Sequence, residues 1–496
     1  MSAGYVIGIL ITYFGLLYIV SLMTTRKADA STFFIANRNA AWPLVAYGMI
    51  GVAISGITFI SVPGQVLDMQ FSYFQMVIGY SLGLLVVAFI LLPVFYRIRA
   101  ISIYSYLKNR FGFYTHKTGA VFFLLAQVAT ASFKLFLMAH VLQLVLFRPL
   151  GLPFWLTVLV TLLLIWFYTY RGGIQTVIFT DTLQTTFLIL ALLLSIWAIS
   201  DRMDLSITEL YRNMDSRGIS RIFYWSWNDP RNFFKLVFTG LLLTVMTNGL
   251  DQSVMQKHLT CRTLSASQKN IVTLAVIILG INALFLFLGG ALYLFSLAEN
   301  IPLPEQTDNL YPMLAVNNLG MVSGTIFLVG IAAAAYSSAD SSLTGLTTSF
   351  CIDVLDFNED QNNRRKMRQG IHFGFTLLIF ILIMFFSRIN NESVLYAFIR
   401  TSGFIYGPLV GLFAFGMYSK RKVRDAWIPL ICILAPLISV ILDQNSEKWF
   451  NGYQFGYDIL VVNSLITLFG LFILSKKNKE DDVTFDKQFS EVDPPA

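Results

Sequence analysis

The chain has 496 residues, of which 56% are hydrophobic and only 13% are charged. A soluble domain typically carries about 25% charged residues, so this composition excludes an ordinary soluble enzyme or binding domain. The formal net charge is +7. The cationic residues lie in short segments between apolar runs, so we interpret the charge as an orientation signal and predict no nucleic-acid partner.

Long apolar runs predict helices that span a membrane. Residues 73–96, for example, contain no charged residue. About 20 apolar residues in a helix cross the hydrocarbon, and only helices or closed barrels satisfy their backbone groups there. These runs are too long for barrel strands. We predict an all-α polytopic membrane protein with about thirteen transmembrane helices, at residues 4–23, 41–66, 73–96, 118–147, 153–170, 176–200, 233–255, 271–297, 311–350, 370–387, 392–418, 425–443 and 457–474.

The predicted domain organisation is simple. Residues 1–475 form one transmembrane domain, and residues 476–496 form a polar cytoplasmic tail. The first span lacks a basic leader and its charges follow it, so we interpret it as an uncleaved helix. The ninth span is too long for one crossing, and we expect a lead-in helix or a break in it.

Basic residues alternate between loops and predict the orientation. Residues 298–310 carry three acidic residues and no Lys or Arg. The loops of the opposite side contain the cationic residues Arg26, Lys27, Arg38, Arg97, Arg99, Lys108, Arg110, Lys117, Arg171, Lys257, Arg262, Lys269, Arg364, Arg365, Lys366, Arg368, Lys420, Arg421, Lys422 and Arg424. Cytoplasmic loops carry the excess of Lys and Arg. We therefore predict a multi-pass protein of the inner (plasma) membrane, with its N-terminus outside and its C-terminus in the cytoplasm.

Motifs of nucleotide-binding and hydrolytic enzymes are missing from the sequence. It contains no GxxxxGK[ST], HExxH or CxxC pattern, so we predict that the protein is not an enzyme. No cofactor is predicted. The three cysteines, Cys261, Cys351 and Cys432, lie within spans or on the cytoplasmic side, and no disulfide is expected.

Glycines suggest an internal repeat. The second span contains Gly48, Gly51, Gly56 and Pro63, and five spans later the seventh contains Asn248-Gly249. Interrupted helices at matching places in two halves point to the binding site of a transporter. Two units of five helices, the second inverted, would place both breaks together. The alternative is that these glycines only allow close packing of helices.

Ionisable residues deep in a span cost roughly 2.5–3.5 kcal/mol on insertion scales and indicate function. Asp181, Asp340, Lys134 and Arg400 occupy such positions. Asp340 is surrounded by hydroxyl groups, at Ser337, Ser338, Ser341 and Ser342. Hard cations take carboxylate, hydroxyl and carbonyl oxygens, so this cluster predicts a sodium site. The alternative is that the serines bond back to their own helix and pack closely.

Four motifs in order resemble the sodium:solute symporter family, which includes bacterial sodium–galactose and sialic acid transporters. They are Gly51–Pro63, Arg171–Asp181, Asn248–Leu259 and Ala334–Ser342. The resemblance spans nearly the whole chain. It implies an inverted five-plus-five repeat of the leucine-transporter type that works by alternating access.

The resemblance also implies two sodium sites. The first would use the carbonyls of Gly51, Ile54 and Ala334 and the hydroxyls of Ser337 and Ser338. A second, deeper sodium is held in sialic acid transporters by an Asp and by serines, which Asp181 and Ser341 match. Asp340 stands where those relatives have a serine. It could strengthen a sodium site or form a protonatable pair with Asp181.

The predicted solute site is drawn from the same resemblance. Ser55 and Thr58 would face a central cavity, and Lys134 falls within one residue of a cationic position that binds the sialic acid carboxylate. Arg400 would bind an anionic group, or would instead snorkel to the interface. Tyr80 would stack on the solute or pack in the core.

We therefore predict sodium-coupled symport of a small organic solute, such as a sugar, sialic acid or another small carboxylate or zwitterion. The expected partners are the solute, sodium ions as coupling ions and membrane lipid. The alternatives are proton coupling through Asp181 and Asp340, or an ion channel.

Overall fold

A computed structural model describes residues 3–24, 41–97, 102–169, 174–356, 365–389, 394–453, 455–456 and 458–476. The predicted tail from residue 477 onward lies outside these residues, as do the basic residues predicted within 25–40, 98–101, 170–173 and 357–364. The orientation in the membrane and the domain boundary stay predictions.

Helices form nearly all of the described structure. In the first half these are α1 (Ala3–Thr24), α2 (Trp42–Ala53), α3 (Gly56–Met69), α4 (Tyr73–Val86), α5 (Leu92–Arg97), α6 (Ser105–Arg110), α7 (Phe113–Leu142), α8 (Phe154–Thr169), α9 (Ile174–Met203) and α10 (Ile207–Ser216). In the second half they are α11 (Phe233–Thr244), α12 (Gln252–His258), α13 (Leu264–Ala298), α14 (Leu310–Asn317), α15 (Gly320–Ser349), α16 (Arg365–Ile389), α17 (Val394–Tyr418), α18 (Ile428–Trp449) and α19 (Ile459–Ile473).

Short elements extend these helices. Single π-helical turns continue α4, α7, α11 and α15, at Val87–Leu91, Gln143–Phe147, Val245–Gly249 and Phe350–Val354. Three-residue 3₁₀ turns lie at Gln70–Ser72, Thr307–Asn309 and Asp425–Trp427. Two short strands, Lys422–Val423 and Ser475–Lys476, pair in antiparallel register with Lys422 opposite Lys476.

Helices occur in each of the thirteen predicted spans. Within the described residues, eight helices are long and apolar enough to cross a membrane alone, and the bent seventh span makes a ninth. The other predicted spans contain shorter apolar helices, at Gly4–Val20, Trp42–Ala53, Phe154–Trp166 and Ile459–Ile473. The count of thirteen crossings stays a prediction.

The second span is broken, as its glycines indicate. Helix α2 ends at Ala53 and α3 begins at Gly56. Between them Ile54 has φ −96° and ψ 82°, and Ser55 is extended at φ −76° and ψ 174°. Backbone carbonyls before such a break lose their helical N–H partners. Among the described hydrogen bonds, no backbone N–H donates to the carbonyl of Gly51 or Ile54.

The seventh span is broken as well. Its two parts, Phe233–Gly249 and Gln252–His258, meet at an angle of 73°. Asp251 begins α12 as its N-cap, because its side chain accepts hydrogen bonds from the N–H groups of Ser253 and Val254. An Asp at this position satisfies N–H groups that a new helix leaves unpaired. Both matching breaks predicted from the glycines are therefore present.

The ninth span has the expected lead-in helix. Helix α14 ends at Asn317, and α15 begins at Gly320. Gly320 has φ +89°, a conformation that L side chains rarely adopt. The turn separates a short helix from the long helix that contains the serine cluster.

Two glycines bring the third and seventh spans into backbone contact. A Cβ on Gly79 of α4 would lie 2.2 Å from the carbonyl oxygen of Val237 in α11. A Cβ on Gly240 of α11 would lie 2.1 Å from the carbonyl oxygen of Met76 in α4. Small residues allow membrane helices to approach this closely. The contact holds the break of the seventh span beside α4.

Candidate solute and sodium site

The two breaks open onto a central cavity. Its walls come from the break of the second span and α3, from α4 and α7, from the break of the seventh span, and from α15 and α17. The polar side chains around it include Ser55, Thr58, Gln127, Lys134, Asn248 and Asp251. Leu395 and Phe398 of α17 add apolar surface. A cavity that combines apolar surface with convergent polar groups is typical of a small-molecule site.

Four of the five predicted solute residues line this cavity. They are Ser55, Thr58, Tyr80 and Lys134. Tyr73, which also lines it, donates a hydrogen bond to the hydroxyl oxygen of Tyr80 at 3.3 Å. The two rings meet edge to face, with centroids 6.2 Å apart. Tyr80 is therefore held in place, with part of its side chain toward the cavity.

Arg400 has a different place. It is not among the residues that line the cavity. Its guanidinium forms an ion pair with Asp443 of α18, at 2.5 Å between Nη2 and Oδ2. Arg400 and Lys134 therefore do not share the cavity in this arrangement, and the predicted binding of an anionic solute group by Arg400 stays a prediction.

Lys134 places a cation on the cavity wall. Its side chain is partly exposed, and its backbone lies beside the second-span break, since a Cβ on Gly56 would lie 3.6 Å from the carbonyl oxygen of Lys134. Among the described side chains, no carboxylate lies within 4 Å of its ammonium group. Asp251, the N-cap of α12, lines the same cavity. The cavity therefore presents an ammonium group to a solute, with a carboxylate elsewhere on its wall.

The predicted first sodium residues converge beside the second-span break. Gly51 and Ser337 are neighbours, since a Cβ on Gly51 would lie 3.5 Å from the Ser337 Oγ. Ser338 is 1% exposed, and among the described residues its Oγ has no hydrogen-bond partner. A buried hydroxyl without a partner is costly and indicates that something else satisfies it. This hydroxyl and the carbonyls of Gly51, Ile54 and Ala334 are oxygen ligands of the kind that sodium takes.

The predicted second sodium residues are also brought together, but with a lysine between them. Ser337 Oγ donates to Oδ1 of Asp181 at 2.5 Å. The ammonium of Lys257 lies 2.5 Å from Oδ2 of Asp181 and 2.6 Å from Oγ of Ser341. The side chain of Asp340 lies outside the described structure, so its predicted ligand role and the predicted Asp181/Asp340 pair stay predictions.

Lys257 was expected among the charges of a cytoplasmic loop, and this expectation is wrong. Helix α12 continues the seventh span to His258, and Lys257 is 1% exposed. The residue lies two positions beyond the predicted end of the span at residue 255. A signal was available in the sequence: Asp251, shortly after Asn248-Gly249, is a typical N-cap residue and indicates a helix that begins anew there and continues past residue 255.

Comparisons with known proteins show which family and which transporters this chain is similar to. The model of the sodium:solute symporter family matches residues 33–426. A sodium/sialic acid symporter of Aliivibrio fischeri is 24% identical over 458 residues, which cover 89% of each chain. A sodium/sialic acid symporter of Proteus mirabilis is 24% identical over 434 residues, which cover 84% of each chain.

A solved structure gives the same fold. It shows a Na⁺-coupled sialic acid symporter in a substrate-bound outward-open state, with a TM-score of 0.80 and 19% identity. The alignment covers 96% of this chain and all of that one. At this identity the likeness concerns the fold. It confirms the predicted class, a polytopic helical membrane protein of the leucine-transporter type.

Proposed function

Because the chain belongs to the sodium:solute symporter family, we propose that its central cavity binds a small organic solute through a carboxylate group. The chain is a multi-pass membrane protein that couples symport of a small organic solute to sodium, and it is not an enzyme. Proton coupling and an ion channel, the two alternatives, are not favoured by this membership. The proposal includes no cofactor besides the coupling ion.

The observation that carries the proposed solute class is the position of Lys134. Its ammonium borders the cavity, and no described carboxylate lies within 4 Å of it. A charge at membrane depth is costly, so an anionic group of the solute is a favourable partner for this ammonium. Sialic acid, which the two bacterial relatives are named for, carries such a carboxylate.

The remaining wall is suited to a polyhydroxylated solute. Ser55, Thr58 and Asn248 offer hydroxyl and amide groups to the cavity. Tyr80 offers the edge of a ring beside them. Hydroxyl and amide groups orient a ligand by hydrogen bonds, while apolar surface contributes affinity. We place the solute among sialic acids and related small acidic sugars, with zwitterions as the next class.

The first sodium is proposed to bind at the second-span break. Its ligands are the carbonyls of Gly51, Ile54 and Ala334 and the hydroxyls of Ser337 and Ser338. Two observations on the described residues support this assignment. No backbone N–H among them donates to the carbonyl of Gly51 or Ile54, and the hydroxyl of Ser338 finds no partner among them. The site borders the solute cavity because Ser338 also lines it, so sodium and solute can stabilise each other's binding.

The proposed orientation follows the basic loops. The N-terminus lies outside and the C-terminus in the cytoplasm, in the plasma membrane. Solute then enters the cell with sodium, down the sodium gradient.

The experiment is uptake by the full chain in proteoliposomes. Radiolabelled N-acetylneuraminic acid and galactose are supplied with a sodium gradient, or with choline in place of sodium. Lys134→Met keeps a similar length and removes the charge. Loss of a hydrogen bond to a charged group costs about 1.5–3 kcal/mol, so the half-saturating concentration of the acid should rise roughly 10- to 100-fold.

Lys269→Met is the matched control, since Lys269 is an exposed lysine near the start of α13. It should leave uptake unchanged. An unchanged half-saturating concentration for the acid in Lys134→Met would refute the carboxylate assignment. Equal uptake in sodium and in choline would refute sodium coupling at the proposed site.

A further inference from the structure

A lysine ammonium occupies the position where the sequence predicts a second sodium. Lys257 Nζ lies 2.5 Å from the Asp181 carboxylate and 2.6 Å from the Ser341 hydroxyl oxygen. Both side chains of the ion pair are 1% exposed. These are two of the oxygens that the predicted second sodium would use. The positive charge beside Asp181 and Ser341 is therefore supplied by a side chain of the protein itself, Lys257.

The lysine is brought there by the break of the seventh span. After the bend of 73°, α12 runs from Gln252 to His258 and packs against α15. The contact is close, because a Cβ on Gly345 of α15 would lie 2.5 Å from the Cβ of Ser253. This packing fixes the position of α12 along α15, and with it the position of Lys257 beside Asp181. A straight seventh span would not place its end beside α9 and α15 in this way.

Asp181 is enclosed from the other side as well. Gly48 of α2 packs on it, with a Cβ position 3.3 Å from the Cβ of Asp181. Oδ1 of the carboxylate accepts a hydrogen bond from the hydroxyl group of Ser337, and Oδ2 accepts a hydrogen bond from the ammonium group of Lys257. A buried carboxylate must be paired, and here the pair lies between α9 and α12. The charge of Asp181 is balanced without an added ion.

A sodium ion and this ammonium compete for the same oxygens. A cation bound to Asp181 Oδ2 and Ser341 Oγ would lie in contact with Lys257 Nζ, and like charges at such short range in a buried site repel strongly. We propose that the ammonium of Lys257 is a tethered substitute for the second sodium, so that the chain binds one coupling sodium. The inference rests on the proposed function, because it takes the first sodium site as given.

The ion pair also prepares the first site. Ser337 directs its hydroxyl proton to Asp181, and a hydroxyl that donates its proton keeps its lone pairs for a cation. Ser337 is one of the proposed ligands of the first sodium. Asp181 and Lys257 therefore act on the first site as positioning residues, through Ser337.

The test is equilibrium binding of radiolabelled sodium to the purified full chain in lipid nanodiscs, which requires no knowledge of the solute. The wild type should bind one sodium per chain. Lys257→Ala removes the ammonium and leaves the oxygens of Asp181 and Ser341, so it should bind two. Lys257→Arg retains a cation and should bind one. Lys269→Ala, at an exposed lysine, is the control and should also bind one.

Two results would overturn the inference. One is a wild type that binds two sodium ions per chain, and the other is a folded Lys257→Ala chain that still binds one. If Lys257→Ala does not fold, Lys257→Met takes its place, because it keeps a similar side-chain length without the charge; it should bind two sodium ions, and a folded Lys257→Met chain that binds one would overturn the inference. If the wild type binds two sodium ions and sodium still drives uptake, this inference is refuted and the proposed function stands. If the wild type binds no sodium, the proposed function is refuted.

Discussion

The backbone N–H of Gly51 donates a hydrogen bond to Oγ1 of Thr185 at 3.0 Å, which joins the last turn of α2 to α9. The two residues are so close that a Cβ on Gly51 would lie 2.4 Å from the same Oγ1. The position therefore admits only glycine while Thr185 is present. Since the carbonyl of Gly51 is a proposed sodium ligand, this contact sets the position of the first site.

Gly51→Ala should weaken sodium activation of uptake. The added methyl group must displace Thr185 or move the end of α2, and overpacking of this kind costs about 1–3 kcal/mol. We expect the half-activating sodium concentration to rise by roughly tenfold. Thr185→Ala removes the clashing oxygen, so the double variant should recover part of the loss. A double variant as impaired as Gly51→Ala would show that the steric contact is not the cause.

Ser338→Ala tests the first sodium site directly. The change removes a hydroxyl that has no described hydrogen-bond partner, so the fold should lose little stability. If this hydroxyl binds sodium, the half-activating sodium concentration should rise roughly tenfold, by analogy with the loss of a hydrogen bond to a charged group. The measurement is initial uptake as a function of sodium concentration.

The matched control for Ser338 is Ser439 of α18. Its hydroxyl is equally buried but donates to the carbonyl of Ala435 on its own helix. Ser439→Ala should leave sodium activation unchanged. If Ser338→Ala behaves like Ser439→Ala, then Ser338 is a packing residue and the ligand assignment fails.

Arg400 should act in the fold and not in the solute site. Arg400→Gln leaves the carboxylate of Asp443, which is 5% exposed, without its cation. Uncompensated buried charges are costly, so the melting temperature should fall while the half-saturating solute concentration stays unchanged. Asp443→Asn in addition removes the stranded charge and should restore part of the melting temperature. A rise in half-saturating solute concentration without a change in melting temperature would show that Arg400 contributes to solute binding.

The proposed orientation can be tested with single cysteines. The native cysteines Cys261, Cys351 and Cys432 are buried, so their background labelling should be low. Glu305→Cys and Lys420→Cys place thiols at exposed positions. In intact cells an impermeant thiol reagent should label Glu305→Cys only, because Lys420 lies in a basic loop. Labelling of Lys420→Cys alone would reverse the topology.

Features that depend on neighbours in sequence were predictable. The glycines near Gly51 and Gly249 indicated both helix breaks, since glycine weakens a helix where it stands. Apolar runs indicated the spans, because their length is set by the bilayer. The convergence of Asp181 with Ser337 and Ser341 was implied by the family resemblance alone.

Pairings between distant residues were not predictable from one sequence. Asp443 is 43 residues from Arg400, and nothing between them indicates that α17 and α18 bring the two charges together. Lys257 follows a polar stretch and resembles a loop residue, since only the three-dimensional bend turns its side chain inward. The sequence analysis misjudged the surroundings of both Arg400 and Lys257. Each has a long side chain, so the position of its backbone in a predicted span does not determine which residue its charged group contacts.

The non-helical backbone at Ile54 and Ser55 has a consequence for the stability of the purified protein in detergent. A ligand that binds only the folded state adds RT ln(1 + [L]/Kd) to the free energy of unfolding, about 2.7 kcal/mol at a hundredfold excess over the dissociation constant. The gap between α2 and α3 leaves carbonyls that a sodium ion would satisfy. Detergent-solubilised protein should therefore be more resistant to heat in sodium chloride than in choline chloride, so the coupling ion doubles as a stabilising additive during purification.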